Sequence, residues 1–425
     1  MKWPHSLRAL ESPKYRRYYM GLTVSMIGTW VQSVAVMWLA YRLSGSTWFT
    51  GLVGFLTSIP HLVLAPFAGV LGDRVNRRKL LITVLSLMAL QSTSLAVFTG
   101  THLMTMPLLA CLALFGGVCN AFEIPTRQSV YIQLLDRRED LPNAIALNSM
   151  LMNGTRLIGP SIGGVLIAAV GEQWCFVLNA VSYSAVVWAL VGLRLHPRAK
   201  RAPTHPLHDL AEGFRYAMGS LPMRRMLLTL AAVSLSISPY ATLMPAISVK
   251  VYGMGAGLVG VFIGAVGLGA FIAAASLARR SSVRGLAKWI GLAAIIAGAG
   301  AIGFGLSRWE WLSVMLLMLE GFGMFMTGAT CNTILQTIAE EEKRSRVLSY
   351  YTMFFVGSAP IGHYLAGWLA EHIGAPQTFM VGGAISLAAG IAFTAQLGTF
   401  RKHLRKDYVA RGIISSLEDT HPGTQ

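Results

Sequence analysis

The sequence predicts an all-α membrane protein with twelve transmembrane helices arranged as two six-helix bundles, and three observations predict it. Of 425 residues, 54% are hydrophobic and 12% are charged, the composition of a bilayer-spanning chain rather than a globular one. Apolar runs recur at the length a hydrocarbon core of roughly 30 Å demands, about 20 residues each. Finally, all of the 35 Lys and Arg except Arg42, Lys250, Arg308, Arg127 and Arg156 fall in the N-terminal segment, the even-numbered loops or the tail. By the positive-inside rule both termini and those loops are cytoplasmic. The net charge of +17 therefore reads as topology, and nucleic acid is not an expected partner.

Taken in order, residues 2–19 mix Lys14, Arg16 and Arg17 with Trp3, Tyr15, Tyr18 and Tyr19, a combination suited to the headgroup level before the chain enters the bilayer. Spans are then expected near 18–41, 49–71, 80–99, 106–133, 144–170 and 174–193, and again near 226–249, 257–278, 286–306, 311–338, 347–370 and 377–398. The first is too long for a signal-peptide core and lacks a following cleavage site, so it stays as a helix. Within it Gln32 needs a partner helix or a cavity. Span two carries Pro60, His61 and Pro66, and proline frees carbonyls and bends such a helix. Cys111, Cys119, Cys175 and Cys331 fall inside spans without metal or redox spacing and read as small packing residues.

Spans two and three are joined by a short charged turn, Gly69-Val70-Leu71-Gly72-Asp73-Arg74-Val75-Asn76-Arg77-Arg78-Lys79. Gly69 and Gly72 permit close helix approach, Asp73 suits a helix N-terminus, and Asn76 tolerates a left-handed turn. The one long polar connector, 195–224, splits the chain into a first bundle at 1–194 and a second at 225–400, followed by a tail at 401–425 that begins basic and is expected at the lipid surface. The halves echo one another: Pro160 with Gly163 in span five matches Pro360 with Gly362 in span eleven, and Gln133 with Asp136, Arg137 and Arg138 matches Gln336 with Glu340, Lys343 and Arg344. Such a repeat is the mark of a two-bundle transporter architecture.

The turn at 69–79 resembles the signature loop between spans two and three of the major facilitator superfamily, with Gly72 and Asn76 standing where that pattern has Ala and Gly. Gly159-Pro160-Ser161-Ile162-Gly163-Gly164 is similar to an element in span five of exporters of that superfamily, although small residues there also simply allow tight packing. The series Gly28-Thr29-Trp30-Val31-Gln32, Ile124-Pro125-Thr126-Arg127-Gln128 and Asn143-Ala144 before Gly159-Pro160 resembles the transmembrane-secretion-effector branch, which includes enterobactin exporters. The resemblance implies the major facilitator fold in a cell membrane, a bacterial inner membrane, as a monomer among lipids. It also implies proton-coupled export of a small organic molecule, a siderophore or drug-like amphiphile, by rocking one bundle against the other. In the family loop Asp73, beside Arg74 and Arg78, meets the start of span eleven, and Arg77 meets Asp136. A lipid or lysophospholipid flippase of the same fold is the second reading, and a non-transporting membrane sensor the third.

Charge within hydrocarbon is a functional hypothesis by default. Glu123 and Arg127, spaced i, i+4 on span four, share a helix face and can pair, as a structural or gating ion pair or as part of a substrate site. Glu320 on span ten has no basic residue within a turn and sits roughly 14 Å from the helix end, near the midplane. A carboxyl group that is dry in one state and wet in another can carry a proton. Arg156, about as deep on span five, is the candidate for an anionic substrate group or for a buried bridge. His61 and His363 can titrate or serve as hydrogen-bonded packing residues. No Gly-rich phosphate loop with Lys is present, and no enzyme activity, cofactor or metal is expected.

Overall fold

The computed structural model describes residues 5–191, 214–280, 283, 285–341 and 343–410, with the side chains of 5, 6, 65–74, 131, 132, 138, 345, 406, 407 and 410 outside the description. Every regular element among these residues is helical. After a short 3-10 helix, His5–Glu11, come α1 (Pro13–Ser44), α2 (Thr47–Arg74), α3 (Arg77–Gly100), α4 (Met106–Tyr131), α5 (Leu141–Val170) and α6 (Glu172–Leu190). They are followed by α7 (Leu221–Ile237), α8 (Tyr240–Lys250), α9 (Ala256–Ala278), α10 (Leu286–Leu306), α11 (Glu310–Ile338), α12 (Arg344–Phe355), α13 (Ala359–Ile373), α14 (Ala375–Ala395) and α15 (Leu397–Ala410). Ten stretches among the described residues are long and apolar enough to cross a membrane, against the twelve expected. The two outside that set have physical reasons. In α5, Asn153 and Arg156 dilute the apolar run, and the eleventh expected span is broken between Phe355 and Ala359. The seventh is broken as well, at Ser238-Pro239 between α7 and α8. A carbonyl freed at one break is recovered locally, because Ser234 Oγ donates to Phe355 O, as irregular backbone within an apolar phase requires.

The chain forms two compact units. The first comprises residues 1–202, 241–267 and 363–372, so it holds α1 to α6 together with parts of α8, α9 and α13. Its core behind the N-terminal segment is built from Tyr15, Tyr18, Leu22, Leu81, Leu85, Leu147, Leu151, Tyr183 and Leu190. Tyr15 and Tyr18 are each 1% exposed and belong to this core, which corrects the expectation that they lie at the headgroups. The helix already runs from Pro13, and the spacing of Tyr15, Tyr18 and Leu22 turns all three onto its inner face. Arg16 and Arg17 remain outside, and the Arg17 guanidinium lies 3.8 Å from the centre of the exposed Trp188 ring, an interfacial aromatic and cation pairing. The segment before α1 is clasped by the loop that leads into α5 and by the first turn of that helix. Arg8 Nε stands 3.1 Å from Asp140, Ala9 N donates to Asn143 Oδ1 at 2.9 Å, and Ser12 Oγ donates to Leu134 O at 2.9 Å.

The second unit comprises residues 203–240, 268–362 and 373–425. Its centre is α10, where glycines recur every seven residues at Gly291, Gly298 and Gly305 and meet α14 in antiparallel register. A Cβ at Gly298 would stand 2.5 Å from Gly383 O, and one at Gly305 would stand 2.6 Å from Pro376 O, so backbone rests on backbone. Helix α15 buries Phe400, Leu404 and Tyr408 in this unit and exposes Arg401 and Lys402. The connector at 195–224 falls mostly outside the described residues, as does the tail beyond Ala410.

Candidate functional site

Glu320 lies ten residues into α11, about 15 Å along its axis. Two glycines bring neighbouring backbones onto this turn. A Cβ at Gly300 of α10 would come within 2.7 Å of Leu316 O and 2.9 Å of Glu320 N, and one at Gly269 of α9 within 2.7 Å of Phe322 N. The carboxyl group is 0% exposed, and neither of its oxygens has a hydrogen-bond partner among the described residues. An ionised carboxylate so placed would carry a desolvation penalty of several kcal/mol.

Arg156 belongs to the first unit. It is half-buried on α5, and its guanidinium stands 5.4 Å from the centre of the Trp30 ring on α1. Gly159, one turn along, faces the Trp30 side chain, and Gly163 faces the α1 backbone at Val31. Gly164 points the other way, toward α9, where its Cβ would stand 2.7 Å from Gly260 Cα and 2.9 Å from Ala256 O. Pro160 sits inside the continuous α5 helix. The Gly-Pro element thus seats α1 on one side and α9 on the other, and brings a cation and an indole together at one level. A cation over an aromatic face contributes about 0.5 to 2 kcal/mol, depending on desolvation, and leaves guanidinium N–H groups free for an anion.

Gln32 faces a polar network. Its Nε2 donates to Gln91 Oε1 at 3.1 Å, while its Oε1 accepts from Ser92 Oγ at 2.7 Å and from Asn179 Nδ2 at 2.9 Å. The network ties α1 to α3 and α6, each bond contributing on the order of 0.6 kcal/mol in a membrane interior, and occupies the carbonyl that a ligand would use. Glu123 and Arg127 pair on α4 at 2.7 Å, with side chains 11% and 4% exposed. His61 is half-buried on α2 and makes no hydrogen bond or ion pair among the described residues. His363 Nδ1 and Thr242 Oγ1 are 2.6 Å apart, with Gly54 of α2 against the imidazole ring.

In the turn between α2 and α3, Gly69, Gly72, Asp73 and Arg74 lie on the last turns of α2, and the contacts of their side chains lie outside the described residues, including the one expected for Asp73. Asn76 is not left-handed: its φ is −66° and its ψ 109°, and its side chain caps α3 by accepting from Arg78 N and Lys79 N. The orphan N–H groups of the helix start decide its conformation, for which Asn is among the best caps. Arg78 Nε donates to Leu190 O, the last carbonyl of α6, at 2.8 Å. Arg77 is half-buried and Asp136 is exposed.

The arrangement is shared with solved membrane transporters. A bacterial homologue of the human lysosomal transporter Spinster aligns with a TM-score of 0.63 at 16% identity, covering 93% of this chain and 98% of its own. A POT family transporter aligns at 0.72 and 11% identity, covering 91% and 96%. The fold is the one that these solved proteins share. The model of the transmembrane secretion effector family matches residues 5–408, and the chain belongs to that family. It is similar to the staphyloferrin A transporter of Staphylococcus aureus, at 24% identity over 86% of this chain and 92% of that protein. It is also similar to the enterobactin exporter EntS of Citrobacter koseri, at 26% identity over 94% and 96%. The protein is therefore a multi-pass membrane transporter of a small molecule and not an enzyme.

Sequence reasoning passed over three groups. Trp30 was legible only as part of a motif, because what sets it beside Arg156 is the close approach of α5 at Gly159. Gln91 and Asn179 are the partners Gln32 required, but a single sequence does not say on which helix a partner lies. Glu371 did carry a signal: a carboxylate in the last turn of α13 faces the negative end of its own helix, so a donor is needed from elsewhere.

Proposed function

We propose that the protein is a proton-coupled exporter of an anionic siderophore across a bacterial inner membrane, with both termini and the central connector on the cytoplasmic side. The observation that carries this reading is Glu320, an acid at mid-helix that is fully buried and has no hydrogen-bond partner among the described residues. Alternating access wets such a group in one state and dries it in another, so it binds a proton and gives it up once per cycle. Cargo chemistry follows from the guanidinium of Arg156 over Trp30, which suits an anion carried on an aromatic or other flat group. The relatives named for staphyloferrin A and enterobactin support a chelator as cargo over a lipid.

In this scheme the loop from Gly69 to Arg78, with Asp73, Arg77 and Asp136, gates the cytoplasmic end, and Glu123 with Arg127 stiffens α4. The protein works as a monomer in contact with membrane lipids. The deciding experiment compares the small molecules released into iron-poor medium by cells with and without the protein. A chelator missing from the medium of the deficient cells and retained inside them supports the reading, and identical media refute it.

Two further results are expected. Arg156→Gln weakens binding of anionic cargo about tenfold or more, the size of a lost charge-assisted hydrogen bond, and leaves neutral analogues unaffected. Equilibrium binding to the purified variants in detergent measures this, with Arg156→Lys intermediate because an ammonium keeps charge but not the planar fork. Reporter fusions at the two termini and within 195–224 should all report the cytoplasm, and an external signal from any of them would refute the topology.

A further inference from the structure

The far end of α13 is bound to the start of α2 by an interaction that the transport scheme above does not use. Glu371 presents one oxygen, Oε2, to four donors of the segment that opens α2. These are Thr47 N at 2.8 Å, Thr47 Oγ1 at 2.8 Å, Ser46 Oγ at 3.1 Å and Trp48 N at 3.2 Å. Both main-chain donors are among the N–H groups that a helix start leaves without intrahelical partners. The same carboxylate faces the wrong end of its own helix dipole and the right end of its neighbour's, so its charge favours this contact and no other conformation of α13 by itself.

Below it the two helices run antiparallel in fixed register. A Cβ at Gly51 would meet His363 O at 2.6 Å and Gly367 Cα at 2.8 Å, one at Gly367 would meet Thr47 O at 2.7 Å, and one at Gly54 would meet the His363 ring at 3.0 Å. Packing this close is shape-specific, but between two membrane helices it has little hydrophobic drive. A charged tie at its end is what selects this register over separation.

We propose that Glu371 is a positioning residue for transport, a latch that holds the external ends of α2 and α13 together and must release before cargo can leave. The assignment of this end to the outside rests on the cytoplasmic placement of the termini proposed above. Other ionisable groups near the latch are Tyr41 of α1, whose phenol interacts with the Glu371 charge, and His372, whose Nδ1 bonds Trp368 O. Arg42 is held by Glu172 of α6 at 2.5 Å. Burial alone would push the Glu371 carboxyl up, but the hydrogen bonds from Thr47, Trp48 and Ser46 outweigh it and hold the group below its ordinary value. A depressed carboxylate keeps its contact above that value and loses it only as the pH falls through it. The latch is thus closed throughout the neutral range and does not itself sense the proton gradient.

The test places a cysteine at Ser58, one turn beyond Gly54 on the same face of α2, and measures its labelling in whole cells by a membrane-impermeant maleimide, with the parent chain as background. Glu371→Gln and Glu371→Ala are expected to raise the labelling rate about three- to tenfold, a modest factor because the contact is exposed to solvent, and Thr47→Val to raise it less. With the proton carrier removed by Glu320→Gln, labelling of the Glu371-containing chain, taken at each pH as a ratio to that of the Glu371→Ala chain so that the falling thiolate fraction cancels, should stay flat from pH 8 to about 5.5 and rise only in more acid medium. Unchanged labelling in both Glu371 variants would overturn the latch. A rise seen only with reagent on the cytoplasmic face of inverted vesicles would keep the latch and overturn the assignment of sides. Because labelling needs neither cargo nor a gradient, a failed export assay does not bear on it.

Discussion

Glu320→Gln is expected to leave a protein that binds its cargo and exchanges it passively yet no longer concentrates it when a pH gradient is applied. The amide keeps the shape of the protonated acid and cannot lose its proton, so the variant is fixed in one of the two protonation states that coupling needs. The effect is large because the wild-type group has no partner among the described residues to share the change: both oxygens are buried there without hydrogen bonds, in a turn closed in by the backbones at Gly300 and Gly269. Gradient-driven uptake into inverted vesicles should fall to background, a loss of more than about a hundredfold if the acid is the only proton carrier. Counterflow at equal pH, which needs only the conformational cycle, should persist at a comparable rate. Wild-type accumulation against a gradient by this variant would move the proton path elsewhere, with Glu123 and His61 next to be replaced.

Gly164→Val should all but stop transport for a different reason. The Cβ of the new side chain would stand 2.7 Å from Gly260 Cα and 2.9 Å from Ala256 O, and neither is the yielding tip of a side chain. Overpacking of this kind costs about 1 to 3 kcal/mol, here charged only to the state in which α5 and α9 touch. A conformational equilibrium displaced by that amount moves about 5- to 150-fold, and turnover falls with the population of the closed state. Gly260→Val should act alike, while Gly164→Ala, with its single methyl, should be milder. Vesicle transport measures the loss, and elution of the purified variant as a single species separates it from misfolding. Full transport by Gly164→Val would show that this contact never has to form.

The helical, membrane-spanning class of this molecule was legible in its sequence, because recurring apolar runs follow from the physics of a slab of fixed thickness, which acts on every span alike. What stayed hidden depends on which helix stands beside which. Gln32 announced a need for a partner, and its partners Gln91, Ser92 and Asn179 are on α3 and α6 because of a packing order that periodicity does not encode. Tyr15 and Tyr18 were misjudged because an aromatic and basic mixture looks the same whether it lies on lipid or tucks under a bundle, and only the loop before α5 decides between them. At Asn76 the sequence offered two local roles for one residue, turn former and cap, and the exposed N–H groups of Arg78 and Lys79 selected the second. Arg156 and Glu320 were conspicuous as isolated charges, but Trp30, an ordinary interior aromatic by composition, gained meaning only from its ring's position against the guanidinium.

The clasp around the start of the chain sets a timetable for synthesis. Ala9 waits for Asn143, 134 residues later, and Ser12 for Leu134, 122 residues later. At a ribosomal rate of 5 to 20 residues per second, that interval is about 7 to 27 s. During it four helices enter the bilayer while the leading segment has no docking surface, so the orientation of α1 must be held by its own flanking cations rather than by the fold. Only when the loop before α5 emerges does the first helix become committed to its neighbours. A chain shortened to begin at Pro13 keeps α1 to α15 and loses this late checkpoint, and its defect should therefore appear in the yield of correctly inserted protein rather than in the rate at which each inserted molecule works.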